Sequence, residues 1–145
     1  MQLSLATEYG SRGLVYLALA PTDSKVPLKE ICKAQEVPKS YLIKIFKNFT
    51  SAGLLRSAKG MNGGFVLAQP ADEITIHQVL DLLEGSRFLI KDPNRCLLSP
   101  GRCRKDDRCL GFKMLTEAKE ALNRIFEKYT LADCAVNRSE QGRFF

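Results

Sequence analysis

Tryptophan is absent from this 145-residue chain, and His77 is its only histidine. One imidazole leaves little for general acid–base catalysis. No P-loop, G-x-S-x-G or H-E-x-x-H motif is present, so the phosphate-cradling, nucleophile-elbow and zinc-protease chemistries have no residues to run on. No enzyme is expected. No apolar run approaches the roughly 20 residues that span a bilayer, and no membrane partner is expected. The opening Met1-Gln2-Leu3-Ser4-Leu5 lacks a basic segment followed by an apolar stretch and a cleavage site, which predicts a cytoplasmic protein. Acid is also missing locally. Between Val37 and Ala71 there is no Asp or Glu, yet Lys39, Lys44, Lys47, Arg56 and Lys59 all lie there. Solvated faces ordinarily mix both signs, so this block, in a chain of net charge +6, suits a polyanionic partner.

Proline and glycine divide what remains. Thr7 to Ala20 reads as a helix with one wide apolar face, stopped at Pro21-Thr22-Asp23-Ser24. Leu28 to Gln35 reads as a short helix, ended before Val37-Pro38. Pro38 suits the first turn of a third helix, where its missing N–H is harmless. That helix carries Tyr41, Leu42, Ile45, Phe46 and Phe49 at spacings of three and four, and Gly53 is a good stop. Leu54–Ser57 and Phe65–Ala68 read as strands joined by the Gly-rich segment 58–64. Ile74 to Leu83 is a fourth helix closed by Gly85. From Leu110 to Tyr129 the helical period returns, at a length of roughly 30 Å. So small a chain has little core to cover such a helix, which points to a second copy of itself.

The resulting fold class is mainly α with a small β-hairpin: a winged helix-turn-helix over residues 1–85, a cysteine-bearing loop over 86–109, a dimerisation helix and its end over 110–134, and a flexible tail over 135–145. In a winged helix-turn-helix the third helix enters the major groove of double-stranded DNA, N-terminal residues nearest the bases. Those residues are Lys39, Ser40, Tyr41 and Lys44, able to reach base edges or phosphates. Tyr41 reads equally well as core. The hairpin tip sets Lys59, Gly60 and Asn62 toward the neighbouring minor groove or backbone, the glycines permitting close approach.

Cys96, Cys103 and Cys109 share one irregular loop with Arg95, Arg102, Arg104, Lys105 and Arg108. Three thiolates on one loop suit zinc, copper(I) or an iron–sulfur cluster, and the basic residues favour the thiolate state. Zinc sites usually show C-x2–4-C knuckles, which are absent here; a redox thiol pair is the simpler alternative. Cys32 reads as a small core residue, and Cys134 as free or a spare ligand. His77 reads as structural. Glu8 and Arg12 form an i,i+4 pair worth a few tenths of a kcal/mol, and on residue chemistry alone Glu8 is only a minor candidate ligand.

With these residues in hand, the chain resembles the IscR/NsrR/CymR family of bacterial winged-helix transcription regulators from Met1 to about Val136. Thr7-Glu8-Tyr9-Gly10…Arg12, Val37-Pro38-Lys39-Ser40-Tyr41-Leu42, Gly60-Met61-Asn62-Gly63-Gly64-Phe65-Val66-Leu67 and Tyr129-Thr130-Leu131-Ala132-Asp133 carry the likeness. The resemblance implies a homodimer on partly palindromic promoter DNA, with a [4Fe–4S] or [2Fe–2S] cluster on Cys96, Cys103 and Cys109 plus a fourth ligand. One branch of the family uses a His three residues after the third Cys; here Phe112 stands there and cannot ligate. The first helix is closest to the nitric-oxide-sensing branch, which implies Glu8, from the other subunit, as the fourth ligand. The Cys96–Cys103 spacing is one residue longer than usual in either branch. Lys59 stands where relatives often carry a base-reading Arg, and Lys lacks the bidentate fork.

The expectation is therefore a regulator whose promoter binding is controlled by an iron–sulfur cluster sensing redox, nitric oxide or iron–sulfur status. Two alternatives stand beside it. One is a cluster-free winged-helix regulator using the loop cysteines as redox thiols or a protein partner as signal. The other is an iron–sulfur or zinc carrier docking an acidic protein.

Overall fold

A computed structural model describes residues 3–85 and 109–140, the latter without side chains from 138. Among these residues the helices are α1 (Leu5–Leu19), α2 (Leu28–Gln35), α3 (Lys39–Ser51), α4 (Ile76–Glu84), α5 (Leu110–Lys128) and α6 (Leu131–Glu140), with one hairpin of β1 (Leu55–Ala58) and β2 (Gly64–Leu67) between α3 and α4. No described helix is long and apolar enough to cross a membrane.

Ser4 starts α1 two residues earlier than the apolar period suggests, because its hydroxyl accepts from the Thr7 N–H at 3.2 Å and satisfies an otherwise orphaned donor. The helix buries Gly10, Gly13, Leu14, Val15 and Leu17 and packs against α2, α3, α4 and α6. Its two buried glycines set the approach to α3. A Cβ on Gly13 would lie 2.8 Å from two Phe46 ring atoms. Phe46 is fully buried and wedged against Phe49 and Phe65, so it has nowhere to move. Alanine there gains about 1 kcal/mol of helix propensity but overpacks the core by roughly 1–3 kcal/mol. Gly13→Ala is expected to lower stability by about 1 kcal/mol or more, seen as a lower urea midpoint at unchanged slope. An unchanged midpoint would show that α1 and α3 separate freely.

The turn between α2 and α3 is tight. Glu36 caps α2 with φ 53° and ψ 41°, a left-handed conformation uncommon for a residue with a side chain, and the Val37 N–H donates to Cys32 O at 3.0 Å. Pro38 is the N-cap of α3 rather than part of its first turn. α3 turns Leu42, Ile45, Phe46 and Phe49 into the core.

The hairpin pairs antiparallel from Leu55↔Leu67 to Ala58↔Gly64, one residue later at its start than the sequence pattern suggests. Ala68 N–H also donates to Leu54 O at 2.9 Å, so the pairing continues one residue past the open end of the ladder. Val26 bridges to Phe65 through two 2.9 Å backbone bonds, fixing the hairpin to the chain before α2.

α4 begins at Ile76, not Ile74, because Thr75 and Gln78 form a reciprocal capping box. Residues 74–76 instead bridge to the α5–α6 junction: Ile76 N–H donates to Tyr129 O at 2.9 Å and Leu131 N–H to Ile74 O at 2.8 Å. The long helix is thus pinned at its C-terminal end to the winged-helix unit of its own chain.

The tail expected from residue 135 is a correction. α6 runs to Glu140, Leu131 and Ala135 are buried, and the helix packs on α1. Its start is a second reciprocal box: Thr130 donates through N–H and hydroxyl to Asp133 Oδ2, both at 2.8 Å, while Asp133 N–H donates to Thr130 Oγ1 at 3.3 Å. Those Thr130 bonds hold the Asp133 carboxyl below the ordinary carboxylate range, since they favour its charged form. The cap therefore contributes fully above the ordinary Asp value and is lost as pH falls through the lowered one. Acid titration of helical circular dichroism should show an α6 step in the native protein that is absent from Asp133→Asn. Superimposable titrations would contradict this assignment. Residues 141–145 lie outside the described residues.

Candidate nucleic-acid interface and cluster ligands

The face of α3 opposite the core carries the predicted DNA residues. Lys39, Ser40, Tyr41 and Lys44 are all exposed. Lys47 and Asn48 continue the same face at spacings of three and four and are exposed too. They were legible from helical periodicity but not singled out as contacts. The Tyr41 ring meets Tyr9 of α1 edge-on, centroids 5.9 Å apart, while half of the residue stays exposed. Tyr41 is therefore not a core residue: it leans on Tyr9 of α1 and leaves its outer half on the exposed face of α3.

At the hairpin tip Lys59, Gly60 and Asn62 are exposed. Arg56 on β1 differs from its basic neighbours, since Asp23 lies 3.4 Å from its guanidinium. Lys39, Lys44, Lys47 and Lys59 make no ion pair with a described residue. The acid-free block of the sequence thus leaves exposed lysines on α3 and at the hairpin tip, with its single guanidinium partly neutralised.

Glu8 stands in the first turn of α1 with an exposed side chain. Its Oε1 lies 3.4 Å from Arg12 Nη1, an exposed contact that gives way at small cost. The other guanidinium nitrogen of Arg12 donates to the backbone carbonyl of Gln35, the last residue of α2 before the turn into α3. The first turn is also held from the far side: the Ser4 N–H at 2.8 Å and the hydroxyl of buried Thr7 both donate to Glu84 Oε1.

Cys109 is the partly exposed N-cap of α5 and makes no side-chain capping bond. Cys96 and Cys103 lie outside the described residues. Among the described residues no three potential metal ligands converge within one chain. What is described of the donor set fits a thiolate-held cluster in chemistry: one accessible sulfur at a helix start and one exposed carboxylate.

The other two cysteines are placed differently. Cys32 and Cys134 pack against the core. Burial pushes up both thiols, the neighbouring Asp133 adding to the effect at Cys134, so they are held as neutral thiols. That bears out Cys32 as a core residue and weighs against Cys134 as a spare ligand. His77 is half-buried on α4.

A protein-family model described as Rrf2, iron-dependent transcriptional regulator, matches residues 3–137. The chain is 34% identical to the HTH-type transcriptional regulator NsrR of Halalkalibacterium halodurans, over 97% of this chain and 94% of that one. Among solved structures it is similar to T. potens IscR, with a TM-score of 0.78 and 24% identity over 99% of this chain and 92% of that one. It is also similar to CymR, the global cysteine regulator of B. subtilis, with a TM-score of 0.69 and 24% identity over 94% and 98%.

Proposed function

Because the chain belongs to the Rrf2 family of transcriptional regulators, we propose that it works as a homodimer whose promoter binding is set by an iron–sulfur cluster, [4Fe–4S] or [2Fe–2S], sensing redox, nitric oxide or iron–sulfur status. Membership makes it a DNA-binding transcription regulator and not an enzyme. The dimer, the cluster and its ligands are the proposal.

Homodimerisation is supported by α5. Leu110, Met114, Ile125 and Tyr129 are large, apolar and about half or more exposed. At 100° per residue they fall, with Ala118 and Ala121, on one stripe about 100° wide. A second copy covers such a stripe and sets two recognition helices on successive turns of a partly palindromic site.

The observation that supports the cluster reading is that Glu8 presents an exposed carboxylate in the first turn of α1. Cys96, Cys103 and Cys109 would supply three thiolates, and the partner subunit's Glu8 would supply the fourth donor. The bound cluster supplies a centre that oxidants and nitric oxide can alter. The chain's own residues do the rest. A Glu8 carboxylate engaged as a ligand would share its charge between the cluster and Arg12, whose guanidinium also donates to the Gln35 carbonyl. Arg12 would thereby link the state of Glu8 to the α2–α3 turn that positions Lys39, Ser40, Tyr41 and Lys44. That is a differential interaction with two states, as a switch requires.

The test is a UV–visible spectrum of protein purified without oxygen, with iron and acid-labile sulfide measured on the same sample. Broad visible absorption with stoichiometric iron and sulfide is expected. A colourless protein that resists reconstitution would overturn the cluster and leave a thiol- or partner-sensing regulator. Glu8→Ala is expected to alter the spectrum while leaving the fold intact, since Glu8 is exposed and only weakly paired.

A further inference from the structure

The tip of the hairpin presents a side chain that neither the charge pattern nor the fold accounts for. Met61 is 104% exposed, the most exposed of the large apolar residues described. An unbranched thioether in water at a loop tip contributes nothing to the core, and its exposure is not an accident of a loose loop. The Gly63 N–H donates to Gly60 O at 3.0 Å, so Met61 and Asn62 are the two corner residues of a closed turn. Gly60 has φ +106°, a conformation that side chains disfavour. A Cβ on Gly63 would lie 2.5 Å from the Ala58 carbonyl oxygen, so only glycine fits there. The base of the hairpin is fixed as well, since Gly64 sits against the Val26 carbonyl and Phe65 bridges to Val26. Gly60 and Gly63 thus close a turn that holds an apolar side chain outward, next to Asn62 and two residues from Lys59.

We infer that Met61 is a DNA-contact residue that enters the minor groove as an apolar finger, with Lys59 beside it on the backbone. The minor groove is about 6 Å wide, open to a turn that presents a single apolar side chain at its tip. Its walls are deoxyribose carbons, which give an apolar side chain something to bury against, and methionine is among the residues that wedge at base steps there. Its flexibility lets one side chain fit differing steps. The contact adds affinity without charge and reads groove width rather than base edges. In this chain it complements Lys59, which cannot form a bidentate base contact. The inference rests on the reading of the hairpin as a DNA-contacting wing.

The test uses the full-length dimer and a duplex selected from a random-sequence pool by the wild-type protein. Affinity is measured by fluorescence anisotropy over a salt series. Met61→Ala is expected to weaken binding about tenfold at unchanged salt slope, because no phosphate contact is lost. Met61→Leu should restore most of the loss. Wild-type affinity in Met61→Ala overturns the inference, as does a loss that comes with a reduced salt slope, or an altered dimer in sedimentation. Lys59→Ala separates the two levels. If Lys59→Ala changes neither affinity nor slope, the wing reading itself fails; if Lys59→Ala weakens binding while Met61→Ala does not, only the finger fails.

Discussion

Cys109→Ser is expected to remove the visible absorption of the anaerobically purified protein almost completely while leaving its thermal unfolding unchanged or slightly raised. The two halves of this result come from one position. Cys109 is the N-cap of α5 and makes no capping bond. Serine is among the best N-cap residues and can accept from the orphaned N–H groups that cysteine leaves unmet, so α5 gains a cap as the site loses a thiolate. A hydroxyl does not ionise near neutral pH and cannot replace a thiolate ligand. Cys32→Ser and Cys134→Ser are the matched controls. Both side chains pack against the core, so serine there should cost stability, on the order of 1 kcal/mol, and leave the spectrum in place. The reverse pattern, with colour lost in a core variant and kept in Cys109→Ser, would move the ligand set away from the loop and α5.

The second large effect is on DNA. Replacing Lys39 and Lys44 together by alanine should weaken promoter binding at least a hundredfold, since charged hydrogen bonds are worth about 1.5–3 kcal/mol each. Both residues are exposed and make no ion pair with a described residue, so removing them takes nothing from the fold. For every phosphate contact removed, the slope of log affinity against log salt should fall by about 0.9. The size of that drop also sorts the contacts: a large affinity loss at constant slope means base-edge readout, and a matching slope change means backbone anchoring. Arg56→Ala is expected to do far less, because Asp23 already neutralises part of its charge. If the double variant keeps wild-type affinity and slope, α3 does not face DNA.

How much of this was legible before the structure depends on what each residue needed in order to be read. α2, α3 and the hairpin follow from local signals, with proline and glycine at the breaks and Leu42, Ile45, Phe46 and Phe49 at helical spacing. α6 was missed because its outer turns, through Asn137, Arg138, Ser139 and Glu140, carry no apolar period. Its signal was the Thr130-x-x-Asp133 box, the same type of start as Thr75-x-x-Gln78, which was also passed over and displaced the start of α4 by two residues. Both boxes are short-range and polar, so hydrophobic periodicity does not see them. The Tyr9–Tyr41 contact and the Arg12–Gln35 bond join residues 32 and 23 positions apart, and no local pattern encodes such pairs. Glu8 was readable as a surface ion pair, and the structure retains that pair at 3.4 Å. Its tie through Arg12 to the α2–α3 turn needed the fold. Met61 lay in plain view among the wing glycines, but its meaning depended on the turn that holds it outward.

The central claim is that cluster and DNA share one equilibrium. Its most direct test is the affinity of the protein for one selected duplex, measured anaerobically at fixed salt, first with the cluster intact and then after its removal. Coupling between sites in allosteric proteins is typically about 1–3 kcal/mol, so the two affinities should differ by roughly fivefold to a hundredfold, and Arg12→Ala should shrink that ratio toward one. Equal affinities with and without the cluster would contradict the account.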